Sequence, residues 1–176
     1  MERQFPGIEG KSIRVRFLPL ITVSRGKIVP NGRHGEPVHA GTHIRRRVMV
    51  LDRELCRDPR ELGRIFIHEL FHFVWVRLGN ERRASYERLL RQEFARGARG
   101  ELGWSAESRK HRVRAGSRLP HHVKTWRDYL CESFCDTAAF IYSGLRRHDE
   151  FTLAPRWRRR RARWFVESFG GRSLSI

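Results

Sequence analysis

Residues 68–72 read His-Glu-Leu-Phe-His, two imidazoles four positions apart with a carboxylate directly after the first. On a helix this spacing puts both rings on one face, a turn apart, where they can hold one zinc ion. Glu69 then falls beside the metal, placed to accept a proton from a water the ion polarises. The flanks sharpen the reading: Ile65-Phe66-Ile67 precede the motif and Phe73-Val74-Trp75-Val76 follow it. An ionised carboxylate in so apolar a segment costs several kcal/mol unless something positive compensates it. A metal with a polarised water supplies that compensation, which a core helix with two satisfied histidines does not.

Two histidines leave zinc short of a protein ligand. The extended form HExxHxxGxxH is excluded, because its later positions are Trp75 and Leu78. A carboxylate from a later helix is the remaining option, and residues 129–140, Tyr-Leu-Cys-Glu-Ser-Phe-Cys-Asp-Thr-Ala-Ala-Phe, offer one. Glu132 and Asp136 share a face there, although like charges four apart repel. The oddity resolves if Glu132 ligates the metal and Asp136 accepts the second N–H of a liganding imidazole. Asp128, on the same stripe, is a lesser rival. Glu54 and Asp58 repeat the spacing, but they precede the motif helix and Asp58 is needed as its cap. The test is geometric: Glu132 must come within about 6 Å of the imidazole nitrogens for one ion to bridge them.

HExxH followed on a later helix by ExxxD resembles the gluzincin branch of the zincin metallopeptidases, the thermolysin-like arrangement. The resemblance covers roughly residues 59–140. It implies one Zn2+ ion held by His68, His72 and Glu132, Glu69 as general base, and Asp136 orienting a histidine. It also implies a peptide or protein substrate and a zincin-like fold. The oxyanion needs a further donor, for which Tyr129, one turn before Glu132, is the leading choice, ahead of His111, His121 and His122.

These residues require an α+β frame. Alternation of apolar and basic residues predicts strand over 12–23, with further strands over 26–30, before the Asn31-Gly32 turn signal, and over 43–51. Together they form a short mixed or antiparallel sheet packed on the motif helix, with 43–51 edging the cleft. That helix should run over 59–78, with Asp58 as cap, Pro59 at the first position, Glu61 closing a capping box and Gly79 ending it. Further helices are expected over 81–96, 122–142 and 155–169. Residues 97–120, with their glycines and many charges, read mainly as loop.

At 176 residues the chain reads as one zincin-like domain with a basic, Arg/Trp-rich C-terminal helix. Its 37 Lys+Arg against 19 Asp+Glu leave a net charge of +18, a field that attracts polyanions. All but four of those bases are Arg, a bias that a GC-rich genome also produces. The excess collects toward the two ends, away from the motif. Arg156 to Arg163 with Trp157 and Trp164 could bind nucleic acid or an anionic surface. The favoured reading is a helix that docks its aromatics on the core and leaves its arginines solvated. His34, His39 and His43 lack the spacing of a second metal site. No transmembrane segment is expected, since the longest apolar stretch, 65–76, is interrupted by His68, Glu69 and His72. Three cysteines make no disulfide framework, Cys131 and Cys135 read as apolar fillers, and no signal-peptide core is visible, so a reduced, cytoplasmic setting is expected. The alternatives to a hydrolase are a nucleic-acid-associated protein using the zincin core as scaffold, and a non-catalytic metal-stabilised domain.

Overall fold

The computed structural model describes residues 5–24, 27–29, 35–115 and 124–176. The Asn31-Gly32 turn, His34, His121 and His122 lie outside these. The described residues form an α+β structure with five α-helices and three small sheets. Asp58 caps α1 (Pro59–Arg77), accepting from the backbone N–H groups of Arg60 and Glu61. The expected capping box is only half formed, because the Glu61 carboxylate takes Arg64 (Nε to Oε2, 2.8 Å) and His148 instead. The helix is amphipathic in two directions. Ile65 and Leu70 pack with Met49, Leu51 and Leu55 on its sheet side. Ile67, Phe71, Val74 and Leu78 enter the main core on its helix side.

That core is built by α1 with α2 (Asn80–Ala95), α4 (Lys124–Tyr142) and α5 (Pro155–Phe169). Aromatic rings fill it: Phe134 of α4 stacks on Phe165 of α5 with centroids 5.0 Å apart, and Phe71 of α1 leans on both. As expected, α5 docks through Trp157, Trp164, Phe165 and Phe169 and leaves Arg156, Arg159 and Arg163 in solvent. Arg161 departs from that pattern. It is fully buried and ion-paired with Glu93 of α2 (2.7 Å) and with Glu101 (2.6 Å), welding three segments through one guanidinium.

The strands are shorter and more divided than their hydrophobic pattern suggests. Pro19 and Leu20, the latter at φ 48°, break 12–23 into β2 (Arg14–Leu18) and β3 (Thr22–Ser24). The stretch 43–51 opens instead with a 3-10 turn over Ile44–Arg46, and left-handed Arg47 then admits β7 (Val48–Asp52). The residues before it contain two further short strands, β5 (Glu36–Pro37) and β6 (Ala40–His43). One mixed sheet has the order β2-β7-β6, with β2 parallel and β6 antiparallel to β7, so β6 rather than 43–51 is the edge beside α1. A second, antiparallel sheet joins β3 to β4 (Lys27–Val29) and β5; a third pairs β1 (Ile8–Glu9) with β8 (Leu174–Ser175). Among the described residues no helix is long and apolar enough to cross a membrane.

Residues 97–120 require the largest correction, because Trp104–Ala115 forms α3. Its first turn is capped from elsewhere in the chain: Trp104 N–H donates to Glu150 (2.8 Å) and Ala106 N–H to Asp136 (3.0 Å). Its inward face, Ala106, Lys110 and Val113, has a lysine at its centre that is buried against Glu101. Neither feature leaves a local apolar signature.

Candidate metal centre

The motif face of α1 lies against α4, and the two helices bring the expected residues together. His68 Nε2 is 3.3 Å and His72 Nε2 is 3.9 Å from Glu132 Oε2. One ligand atom from each of the three residues lies within 4.8 Å of the others. Atoms bonded at about 2.1 Å to a tetrahedral zinc stand about 3.4 Å apart, and the two imidazole distances to Glu132 lie close to that spacing. Asp136 holds His68 from behind, Oδ1 to Nδ1 at 2.7 Å. With that bond fixing the proton on Nδ1, a neutral His68 presents a lone pair to a carboxylate oxygen. Two electron-rich atoms in that position require a cation, whether a proton or a metal.

The electrostatics say the same. Burial alone would lower the His68 pKa, but the Asp136 and Glu132 carboxylates override it and raise it well above the usual imidazole value. Burial opposes the charge on His72 too, yet Cys131, Glu132 and Glu69 lift it to about 9. Burial would raise Glu132, and the two imidazoles with Arg109 instead hold it down at about 2. The pocket is organised for positive charge.

Glu69 is buried next to this set. Its Oε2 accepts from Thr42 Oγ1 of β6 at 2.6 Å, so the edge strand fixes the carboxylate of the α1 motif. A cavity of about 410 Å³ opens against His68 and Glu69, walled by His39 and Ala40 on one side and by Trp104 and Ser105 on the other. A larger open groove of about 900 Å³, lined by Lys11, Arg45, Arg47 and Arg77, holds none of the motif residues. Size alone does not mark the chemistry.

Other expectations fare differently. Tyr129 is not brought to the centre: it is fully buried and its hydroxyl donates to Glu101 (2.6 Å) in the Arg161 network. At position 129 the side chain lies beside Trp126 on the face of α4 that meets Phe94, off the Glu132 stripe. His111 stands in solvent beside Glu107, and Asp128 pairs with Lys124 on the outer face. Glu54 turns to Arg57. Cys135 is fully buried, whereas Cys131 is partly exposed and places its sulfur 3.4 Å from His72 Nδ1.

Four residues at the centre escaped the reading of the chain. Arg109 of α3 reaches Glu132 Oε1 at 3.0 Å from a stretch whose glycines and charges read as loop. Thr42 sits in a strand too short to announce itself, and His39 in the bend just before that strand. Cys131 carries a signal in the chain itself, adjacency to Glu132 on a motif helix. No protein-family model, curated protein or solved structure matches the chain.

Proposed function

We propose that the protein is a zinc-dependent hydrolase of the gluzincin arrangement, acting on peptide bonds. The observation that carries this is the meeting of Glu132 with both motif imidazoles while Asp136 sets the tautomer of His68. Two imidazoles and a carboxylate are the donors of a three-ligand zinc site that leaves a position open. Zinc held there supplies Lewis acidity and lowers the pKa of a water toward roughly 7.

The residues of the chain do the rest. Glu69, fixed by Thr42, accepts a proton from the attacking water and returns it to the departing amine. Asp136 keeps the His68 lone pair on Nε2, and Arg109 holds Glu132 through its second oxygen. His39, which lines the cavity together with Glu69, is a polar group available to the developing oxyanion, the part first expected of Tyr129. The cavity beside Glu69 receives the substrate, with the edge strand β6 along its wall.

A base distinguishes a hydrolase from a metal-stabilised fold, which needs ligands alone. Zinc content and hydrolysis of an unfolded protein substrate test this in purified protein. Glu69→Gln is expected to retain zinc and lose turnover, while His72→Ala and Glu132→Ala lose both. Full turnover by Glu69→Gln, or full zinc content in Glu132→Ala, overturns the proposal.

A further inference from the structure

His72 stands between two sets of donors. Its Nε2 faces Glu132, and its Nδ1 lies against Cys131 Sγ. Cys135, one turn along α4, brings a second sulfur, and the donor atoms of His72, Cys131 and Cys135 all lie within 4.8 Å of one another. Cys135 is fully buried and Cys131 partly exposed, so the cluster sits at the α1–α4 contact with an approach from the Cys131 side. The remaining cysteine, Cys56, is exposed and in a different element. Two sulfurs and an imidazole make a soft donor set, unlike the harder nitrogen and oxygen set next to it.

We propose that His72, Cys131 and Cys135 form a second metal site, selective for a thiophilic cation such as Cd2+, which competes with the first site for His72. A neutral imidazole has one lone pair. At the first site that pair is on Nε2, and the Nδ1 proton points to Cys131. To bind at the sulfurs the lone pair must be on Nδ1, so the proton moves to Nε2, and both thiols release their protons to solvent. The incoming ion then has two thiolates and one nitrogen. The first site is left with His68 and Glu132, too few protein ligands to keep zinc. One imidazole therefore makes occupancy of the two sites mutually exclusive, and a thiophilic ion switches the hydrolytic centre off. The sulfur site itself stands independently of the hydrolase reading, whereas the competition rests on it.

The test titrates Cd2+ into zinc-loaded protein carrying Cys56→Ser, which removes the exposed thiol. Sulfur-to-cadmium charge-transfer absorption in the ultraviolet and zinc released to a chromophoric chelator are followed together. The expected result is a sulfur band that grows to one equivalent while zinc leaves in step. Cys131→Ser, partly exposed and nearly isosteric, should weaken the band strongly and keep the zinc. Glu132→Gln should keep the band although it no longer holds zinc, and far-ultraviolet circular dichroism checks that each variant folds. Cadmium that displaces zinc without a sulfur band has entered the first site and overturns the proposal. A full band with zinc retained overturns the competition. If the starting protein holds no zinc yet shows the band, the hydrolase reading fails and the sulfur site stands.

Discussion

Asp136 serves two donors with two oxygens, and replacing it with Asn separates them. Oδ1 accepts from His68 Nδ1 at 2.7 Å and Oδ2 accepts from Ala106 N–H at 3.0 Å, and the residue is only 2% exposed. Asparagine has one acceptor. If its oxygen stays on His68, its NH2 faces the Ala106 N–H at the start of α3, and a buried donor goes unpaired at about 1–3 kcal/mol. If the amide turns round, its NH2 donates to Nδ1 and drives the imidazole proton onto Nε2, where zinc needs a lone pair. The negative charge behind the ligand is lost in both cases. Losing such a partner typically weakens a metal site 10- to 100-fold, about 1.4–2.7 kcal/mol. Asp136→Asn should therefore lower zinc affinity by that factor, read by competition against a chelator of known strength. It should also lower the stability of the metal-free protein by about 1–3 kcal/mol in urea unfolding. Unchanged zinc affinity with reduced stability would show that Asp136 only caps α3. No change in either would refute both roles.

Four further outcomes are expected. Gly103→Ala reaches the same carboxylate by another route, because a Cβ there falls 2.3 Å from the Asp136 carboxyl carbon; zinc affinity should drop, and normal affinity would mean the loop yields freely. Thr42→Val removes a hydrogen bond to a carboxylate, an interaction worth about 1.5–3 kcal/mol, so turnover should fall while zinc content holds; equal turnover would dismiss Thr42 as a positioning residue. Arg161→Met leaves Glu93 buried without its ion-pair partner and Glu101 with Lys110 alone, and should cost about 3–5 kcal/mol in urea unfolding; a loss below about 1 kcal/mol would contradict the pairing. In acid, Glu101 and Glu132 have folded pKa values near 2 against an ordinary 4.5: burial opposes their charge, and Arg161 with Lys110, or the two imidazoles with Arg109, more than offset it. Their stabilisation is complete above about pH 4.5 and lost as pH falls toward 2, so metal-free protein should lose stability across that window. Glu101→Gln should flatten the loss, and an unchanged acid profile would count against it.

The parts legible in the chain share a physical origin. The Asp58 cap, the apolar periodicity of α1 and α4, and the i,i+4 spacings of His68/His72 and Glu132/Asp136 are local, and local periodicity survives folding. Unpaired charge in apolar helices is also visible without coordinates, because its cost does not depend on which neighbour relieves it. That is why α1, α4, α5 and the cluster of His68, His72 and Glu132 could be anticipated from residue types and order.

Only tertiary structure could decide what depends on distant partners. The start of α3 is capped by Asp136 and Glu150, and its inward face holds Lys110 because Glu101 waits there, so nothing nearby in sequence announces a helix. Arg109 reaches the centre only because α3 exists. Thr42 meets Glu69 across the contact of β6 with α1. Tyr129 and Glu132 differ by three positions on one helix, yet small differences in helical phase send the first to the Arg161 network and the second to the histidines. Residue types and their order fix which side chains could do chemistry; packing fixes which of them meet, since hydrogen bonds and ion pairs between remote residues leave no periodic trace along the chain.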